Sequence, residues 1–109
     1  MAAMNYEQVV DAFRERFKDT DVSSVPGTLA FQINMTGNPH GIFYIEIKNG
    51  EVHIEPYEYY DRNAILTASA SNLLKLINGK LDPVAAFTLG KLKVDGDIGA
   101  ALELIKFLK

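Results

Sequence analysis

Two histidines, a short acidic and aromatic run, and a trio of late glycines are the residues here whose types could carry chemistry. His40 sits in the turn-rich segment Gly37-Asn38-Pro39-His40-Gly41, and His53 falls on the outward side of a strand. Histidine serves as a general base or a metal ligand, yet neither residue has a second ligand at a metal-binding spacing, and no HExxH pattern occurs. Glu55, Glu58 and Asp61 lie close together among Tyr57, Tyr59 and Tyr60. Paired carboxylates can divide acid and base work, but this run reads as a polar, aromatic connection between strands. The chain contains no Cys, which removes thiol nucleophiles, disulfides and Cys-based zinc sites. No GxSxG marks a serine nucleophile. Gly90, Gly96 and Gly99 build neither GxGxxG nor a GxxxxGK(S/T) phosphate loop; Gly90 reads as a helix stop and Gly96 as a turn residue. The reading is a binding module without cofactor or metal, not an enzyme.

The elements follow from periodicity. Residues 5–18 form an amphipathic helix, with Tyr6, Val9, Val10, Phe13 and Phe17 on one side and Asn5 as N-cap. Glu7, Asp11, Arg14, Glu15 and Lys18 take the other side. Beyond Pro26-Gly27 the period changes to two: Leu29, Phe31, Ile33 and Met35 alternate with Thr28, Ala30, Gln32 and Asn34, a half-buried strand. Phe43, Ile45 and Ile47 mark a second strand, and Asn49-Gly50 predicts a tight hairpin into a third that carries Val52 and Ile54 inward. Residues 64–70 are a fourth strand with Ala64, Leu66 and Ala68 on one face. Ser71 is the expected N-cap of a short helix ending at Gly79, and Asp82-Pro83 opens a second that stops at Gly90. Leu92 and Val94 alternate in a last strand, and Asp97 caps a final helix.

That final helix is nearly apolar all round. Ile98, Ala100, Ala101, Leu102, Leu104, Ile105, Phe107 and Leu108 leave only Glu103, Lys106 and Lys109 as a thin charged stripe. Such a helix buries most of its circumference, and one sheet face in a small chain cannot cover it. A ligand, a partner chain or a membrane surface must meet the remainder. The order helix, three or four meandering strands, two short helices, strand, helix makes an α+β two-layer domain.

Composition sets the outer bounds. A chain of 109 residues suits one domain, here 1–109, with residues 1–4 expected to lie outside its ordered part. Hydrophobic residues make up 48% and charged residues 23%, as in an ordinary globular protein. The net charge of −3 lacks the basic surplus that phosphate neutralisation demands, so nucleic acid is not an expected partner. No apolar run approaches the roughly 20 residues that span a bilayer, Met1-Ala2-Ala3 is too short for a signal peptide, and the expected location is cytoplasmic.

Residues 71–104 carry an ordered series of motifs. Ser71 to Gly79-Lys80 gives a helix ending in Gly-Lys; Leu81-Asp82-Pro83 and Ala86-Phe87 follow; then comes Gly90-Lys91-Leu92-Lys93-Val94-Asp95-Gly96-Asp97. This series resembles the sterol carrier protein type 2 domain family, and the preceding helix and strands match the family's order over nearly the whole chain. The resemblance implies a five-stranded, mostly antiparallel sheet covered on one face by helices, with a hydrophobic tunnel between the layers. It also implies a fatty acid, fatty-acyl-CoA, phospholipid or sterol-like ligand. The chain ends Lys106-Phe107-Leu108-Lys109 rather than in a peroxisomal tripeptide, which favours a prokaryotic, cytoplasmic version, and without a thiolase, dehydrogenase or sulfatase domain in these residues no function through a fused enzyme is expected.

The expected lipid-binding residues are Phe13 on the first helix; Phe31, Ile33, Phe43 and Ile45 as a sheet wall; Leu74, Ile77, Phe87 and Leu89 as a helical wall; and Leu102, Ile105 and Leu108 closing the end. Each buried methylene is worth roughly 0.8 kcal/mol, so a long acyl chain gains about 10 kcal/mol gross. Association and ordering take back several kcal/mol, leaving micromolar affinity with loose selectivity. Lys75, Lys80, Lys91 and Lys93 form a basic edge around the short helices, able to meet a carboxylate or CoA phosphate but expected to be solvated. Partners are thus an apolar small molecule and, transiently, a membrane surface, with the protein a monomer or homodimer. The alternative is an accessory or dimerisation module for an enzyme of lipid metabolism, using the last helix as its interface.

Overall fold

Helix α1 (Tyr6–Phe17) starts where its cap is complete: Gln8 N donates to the Asn5 side chain, and Asn5 N donates to the Gln8 side chain, each at 2.8 Å. It is followed by β1 (Thr28–Thr36), β2 (Gly41–Lys48), β3 (Glu51–Glu55) and β4 (Ala64–Ser69). Then come α2 (Ala70–Ile77), α3 (Pro83–Thr88), β5 (Lys93–Gly96) and α4 (Ile98–Lys106). The computed structural model describes residues 4–58 and 62–108. The expectation for the amino terminus therefore meets the structure only at Met4, which is exposed and precedes the helix. Tyr59, Tyr60 and Asp61 lie outside the described residues.

The sheet has the order β3-β2-β1-β4-β5. β1–β2, β2–β3 and β4–β5 pair antiparallel, while β1 and β4 run parallel. This corrects the simple meander. The chain leaves β3 at one edge and returns on the far side of β1, because only a strand beside β1 can bring Ala64, Leu66 and Ala68 next to Phe31, Ile33 and Met35 in one apolar layer. The Asn49-Gly50 hairpin is as expected, with φ of 54° and 77°. Asn63 ties the return in place: its side-chain oxygen accepts from Ala30 N at 2.8 Å and its N–H donates to Ala30 O at 2.7 Å.

The helices cover the face bearing Phe31, Ile33, Phe43, Ile45, Ile47 and Leu66, all buried. Phe13 of α1 meets Phe43 edge-on, ring centres 5.0 Å apart. One strand departs from strict alternation. Ala30 and Gln32, expected outward on β1, are also buried. β1 is the central strand, and on that face Gln32 is flanked by Tyr44 and Ile65. Gln32 Nε2 donates to Asn34 Oδ1 at 2.9 Å, whereas Gln32 Oε1 is buried without a partner among the described residues.

Candidate functional site

Two short helices and the last strand build an apolar surface. α3 starts at Asp82, whose carboxylate accepts from Ala85 N at 2.9 Å, with Pro83 at the first helical position. Leu89 and the left-handed Gly90 (φ 76°) end it after six residues. So short a helix buries one line, Pro83 and Ala86, and leaves Val84 and Phe87 outside. α4 starts at Asp97, which accepts from Ala100 N at 3.1 Å. Its buried line is Ala100, Ala101, Leu104 and Ile105. Ile98 and Leu102, one turn apart on its flank, are 51% and 48% exposed. The two helices face each other across Val94 of β5, and between them lies a cleft of about 40 Å³ lined only by Val84, Phe87, Val94, Ile98, Ala101, Leu102 and Ile105.

A second void of about 20 Å³ lies deeper, between helices and sheet. Phe13 and Phe17 of α1, Ile33, Ile45 and Leu66 of the sheet, Leu73, Leu76 and Ile77 of α2, and Leu92, Leu104, Ile105 and Leu108 surround it. It holds about one water-sized sphere, and no polar side chain lines it. Ile105 borders both spaces. The resemblance implies an open tunnel; the described residues leave these two small apolar voids. Preformed small-molecule pockets run from roughly 300 Å³ upward, well above either space.

The residues expected to line a ligand space divide accordingly. Phe13, Ile33, Ile45, Ile77 and Leu108 border the inner void, Phe87 and Leu102 the outer cleft, and Ile105 both. Phe31 and Phe43 are fully buried in the sheet layer and border neither. Leu74 packs partly buried against the core, away from both spaces. Leu89 is 67% exposed, because the chain has already left the helix there and turns at Gly90. The α2 cap is Ser69, not Ser71: its hydroxyl accepts from Asn72 N at 3.1 Å, and helical geometry begins two residues earlier than expected.

Sequence reading missed Arg16. This half-buried side chain donates from Nε to Ile77 O at 3.1 Å and from Nη2 to Phe107 O at 2.9 Å. It thereby satisfies a terminal carbonyl on α2 and another at the end of α4, and holds both to α1 beside the inner void. No local signal distinguishes Arg16 from the other basic residues of α1, since its partners lie 61 and 91 residues away.

Polar features lie elsewhere. A larger recess of about 480 Å³ runs between α1 and β3 past Arg14, Lys18, Glu51, His53 and Glu55. Its charged walls suit water rather than an alkyl chain, and Arg14 is engaged there with Asp11 at 2.8 Å, Glu55 at 3.2 Å and Ile54 O at 2.9 Å. His53 lies 3.3 Å from Glu51 on the surface, and His40 is exposed. Burial pushes the Tyr6 phenol above its usual pKa, opposed by the charge of Arg14, and Tyr6 Oη donates to Ile42 O. Tyr44 is raised by burial and then by the negative charges of Glu55 and Glu46. Lys75, Lys80, Lys91 and Lys93 are exposed. No group of three or more acidic, His or Cys side chains able to hold a metal occurs among the described residues. No helix there is long and apolar enough to cross a membrane.

Comparison with known proteins gives a consistent family. The sequence model of the SCP-2 sterol transfer family matches residues 7–109. Sterol carrier protein 2 of Bos taurus is 32% identical over 84 residues, covering 76% of this chain but 16% of that protein. Hydroxysteroid dehydrogenase-like protein 2 of Xenopus tropicalis is 33% identical over 81 residues, covering 72% of this chain and 19% of that protein. This chain thus spans under a fifth of the length of either relative. The solution structure of palmitated SCP2L2 from Aedes aegypti superposes with a TM-score of 0.72 at 17% identity, covering 96% of this chain and 95% of that one, a likeness of fold.

Proposed function

The chain belongs to the SCP-2 sterol transfer family, whose domains are lipid- and sterol-binding carriers, and from that membership and the apolar cleft between α3 and α4 we propose that it holds the alkyl part of a lipid between helices and sheet. The supporting observation is the pairing of spaces around Ile105: an outer cleft with wholly apolar walls beside an inner void that is also wholly apolar. A fatty acid, fatty-acyl-CoA, phospholipid or sterol-like molecule would leave its polar end at the surface and pass its tail inward. Because the resting voids are small, the lipid selects a conformation in which α3 and α4 stand further apart. The opening exposes apolar surface that only an alkyl chain re-covers, at roughly 0.8 kcal/mol per methylene.

In this reading the exposed Val84, Phe87 and Leu89 touch a membrane surface briefly during loading, and the protein works in the cytoplasm as a monomer or homodimer that performs no chemistry on its cargo. Lipid extraction and mass spectrometry of freshly purified protein test the reading. Copurifying lipid near one-to-one, or uptake of one equivalent of added hexadecanoate by delipidated protein, is expected. Protein that is lipid-free and takes up none refutes it.

A further inference from the structure

Ile105 occupies an unusual position. It is 5% exposed, sits on the buried line of α4, and lines both the outer cleft and the inner void. On the outer side it faces Phe87 and Leu102; on the inner side it faces Ile77 and Leu108. Among the described residues, every other one around either space belongs to one of them alone.

We propose that Ile105 is a movable partition that sets the length of alkyl chain the protein accepts: once α3 and α4 stand apart, short chains occupy the widened outer cleft alone, and long chains also displace the Ile105 side chain and continue into the inner void. The inference rests on the carrier reading above and adds to it a residue that selects among ligands. Its physical basis is the close packing of protein interiors, in which one branched side chain between two voids blocks passage until it changes rotamer or its helix shifts. The ends of α4 are held, by the Asp97 cap at the start and by Arg16 on Phe107 O at the finish. Movement of the Ile105 side chain is therefore a smaller change than removal of the helix.

The consequence is a break in the dependence of affinity on chain length. Each methylene buried in an unobstructed apolar channel strengthens binding about fourfold. In the wild-type protein that gain is interrupted where the chain meets Ile105. Ile105→Ala removes the obstruction and leaves room for two or three methylenes, so hexadecanoate gains on octanoate by about tenfold or more relative to wild type. Ile105→Phe thickens the partition and lowers the same ratio.

The test is calorimetric titration of delipidated wild type, Ile105→Ala, Ile105→Phe and Ile105→Val with the saturated fatty acids from octanoate to octadecanoate, each protein first checked by circular dichroism. Ile105→Val removes a single methyl group and supplies the same direction of change if the alanine variant does not fold. Opposite movement of the long-to-short ratio in the smaller and larger variants supports the partition. Chains that bind all folded variants with one shared length profile overturn the partition and leave the carrier reading standing. Failure of every chain to bind every protein overturns both.

Discussion

Removal of the Arg16 guanidinium tests whether α4 is held over the inner void by the two carbonyl contacts or by apolar packing alone. Both hydrogen bonds have ordinary geometry, at 3.1 Å to Ile77 O and 2.9 Å to Phe107 O. Hydrogen bonds to a charged group contribute about 1.5–3 kcal/mol each. Arg16 is only half-buried, so water can reach part of the site after truncation, and the lower end of that range applies. Two such bonds, with partial rehydration of the carbonyls, give a loss of about 2–3 kcal/mol. For a domain of this size about 1 kcal/mol corresponds to roughly 4 °C, so the thermal midpoint falls by about 8–12 °C.

The informative variant is Arg16→Met, because it keeps most of the apolar stem that covers neighbouring surface and removes only the charge and the donors. Arg16→Lys keeps a charge but cannot span two carbonyls with one planar fork, and recovers less than half of the loss. Urea denaturation gives the free energies. Hydrogen exchange locates them: the amides of Phe107 and Leu108, which donate to Leu104 O and Ile105 O in the last turn, lose more protection in Arg16→Met than amides of β1 do. An Arg16→Met protein within about 0.5 kcal/mol of wild type, the ordinary range for a surface change, refutes the clamp.

Two further measurements probe the frame of the site. Gly96 has φ of 110°, and a Cβ there would lie 2.7 Å from Asn63 O, the acceptor for Asp97 N at the start of α4; Gly79 has φ of 72° with open space around it. Gly79→Ala is therefore expected to cost about 1 kcal/mol for its backbone conformation, Gly96→Ala clearly more, and equal losses in urea denaturation contradict the close approach. Tyr6 and Tyr44 have folded pKa values raised above the usual phenol value by burial. Their neutral forms are favoured in the folded state, so the associated stability is complete below pH 10 and is lost as pH rises through the folded values. Tyr6→Phe and Tyr44→Phe are each expected to flatten the alkaline decline in thermal midpoint, and unchanged slopes contradict the assignment.

The elements were largely legible because their signals are local. Asn5 before the first apolar-periodic helix, Asn49 with Gly50, Asp82 with Pro83, and Asp97 before an apolar run each mark a boundary within four residues, and each boundary stands where its chemistry puts it. Ser69 and Ser71 show the limit of such reasoning: both can cap a helix, and the choice falls to Ser69 because β4 ends there while still paired through Thr36. The place of β4 was not legible. Its period of two says which face is buried but not which neighbour it takes, and the parallel pairing with β1 depends on residues more than thirty positions apart.

The site divides along the same line. The excess of apolar surface on α4 was visible in the sequence, since a helix with one thin charged stripe must meet something. What covers it was not, because that depends on how far α3 and α2 reach across the sheet. α3 ends after six residues, which leaves Leu89 in solvent and Phe87 partly exposed where it lines the outer cleft. Phe31 and Phe43 share the period and burial of Ile33 and Ile45, yet only the second pair borders a void. Burial alone does not tell a core residue from a lining residue; the difference is whether the opposite layer supplies a side chain to fill the gap. At Ile105 a single side chain supplies that filling for two spaces at once. The apolar excess is thus present in the composition of α4, while the way it is covered is a property of packing that no periodicity in the chain encodes.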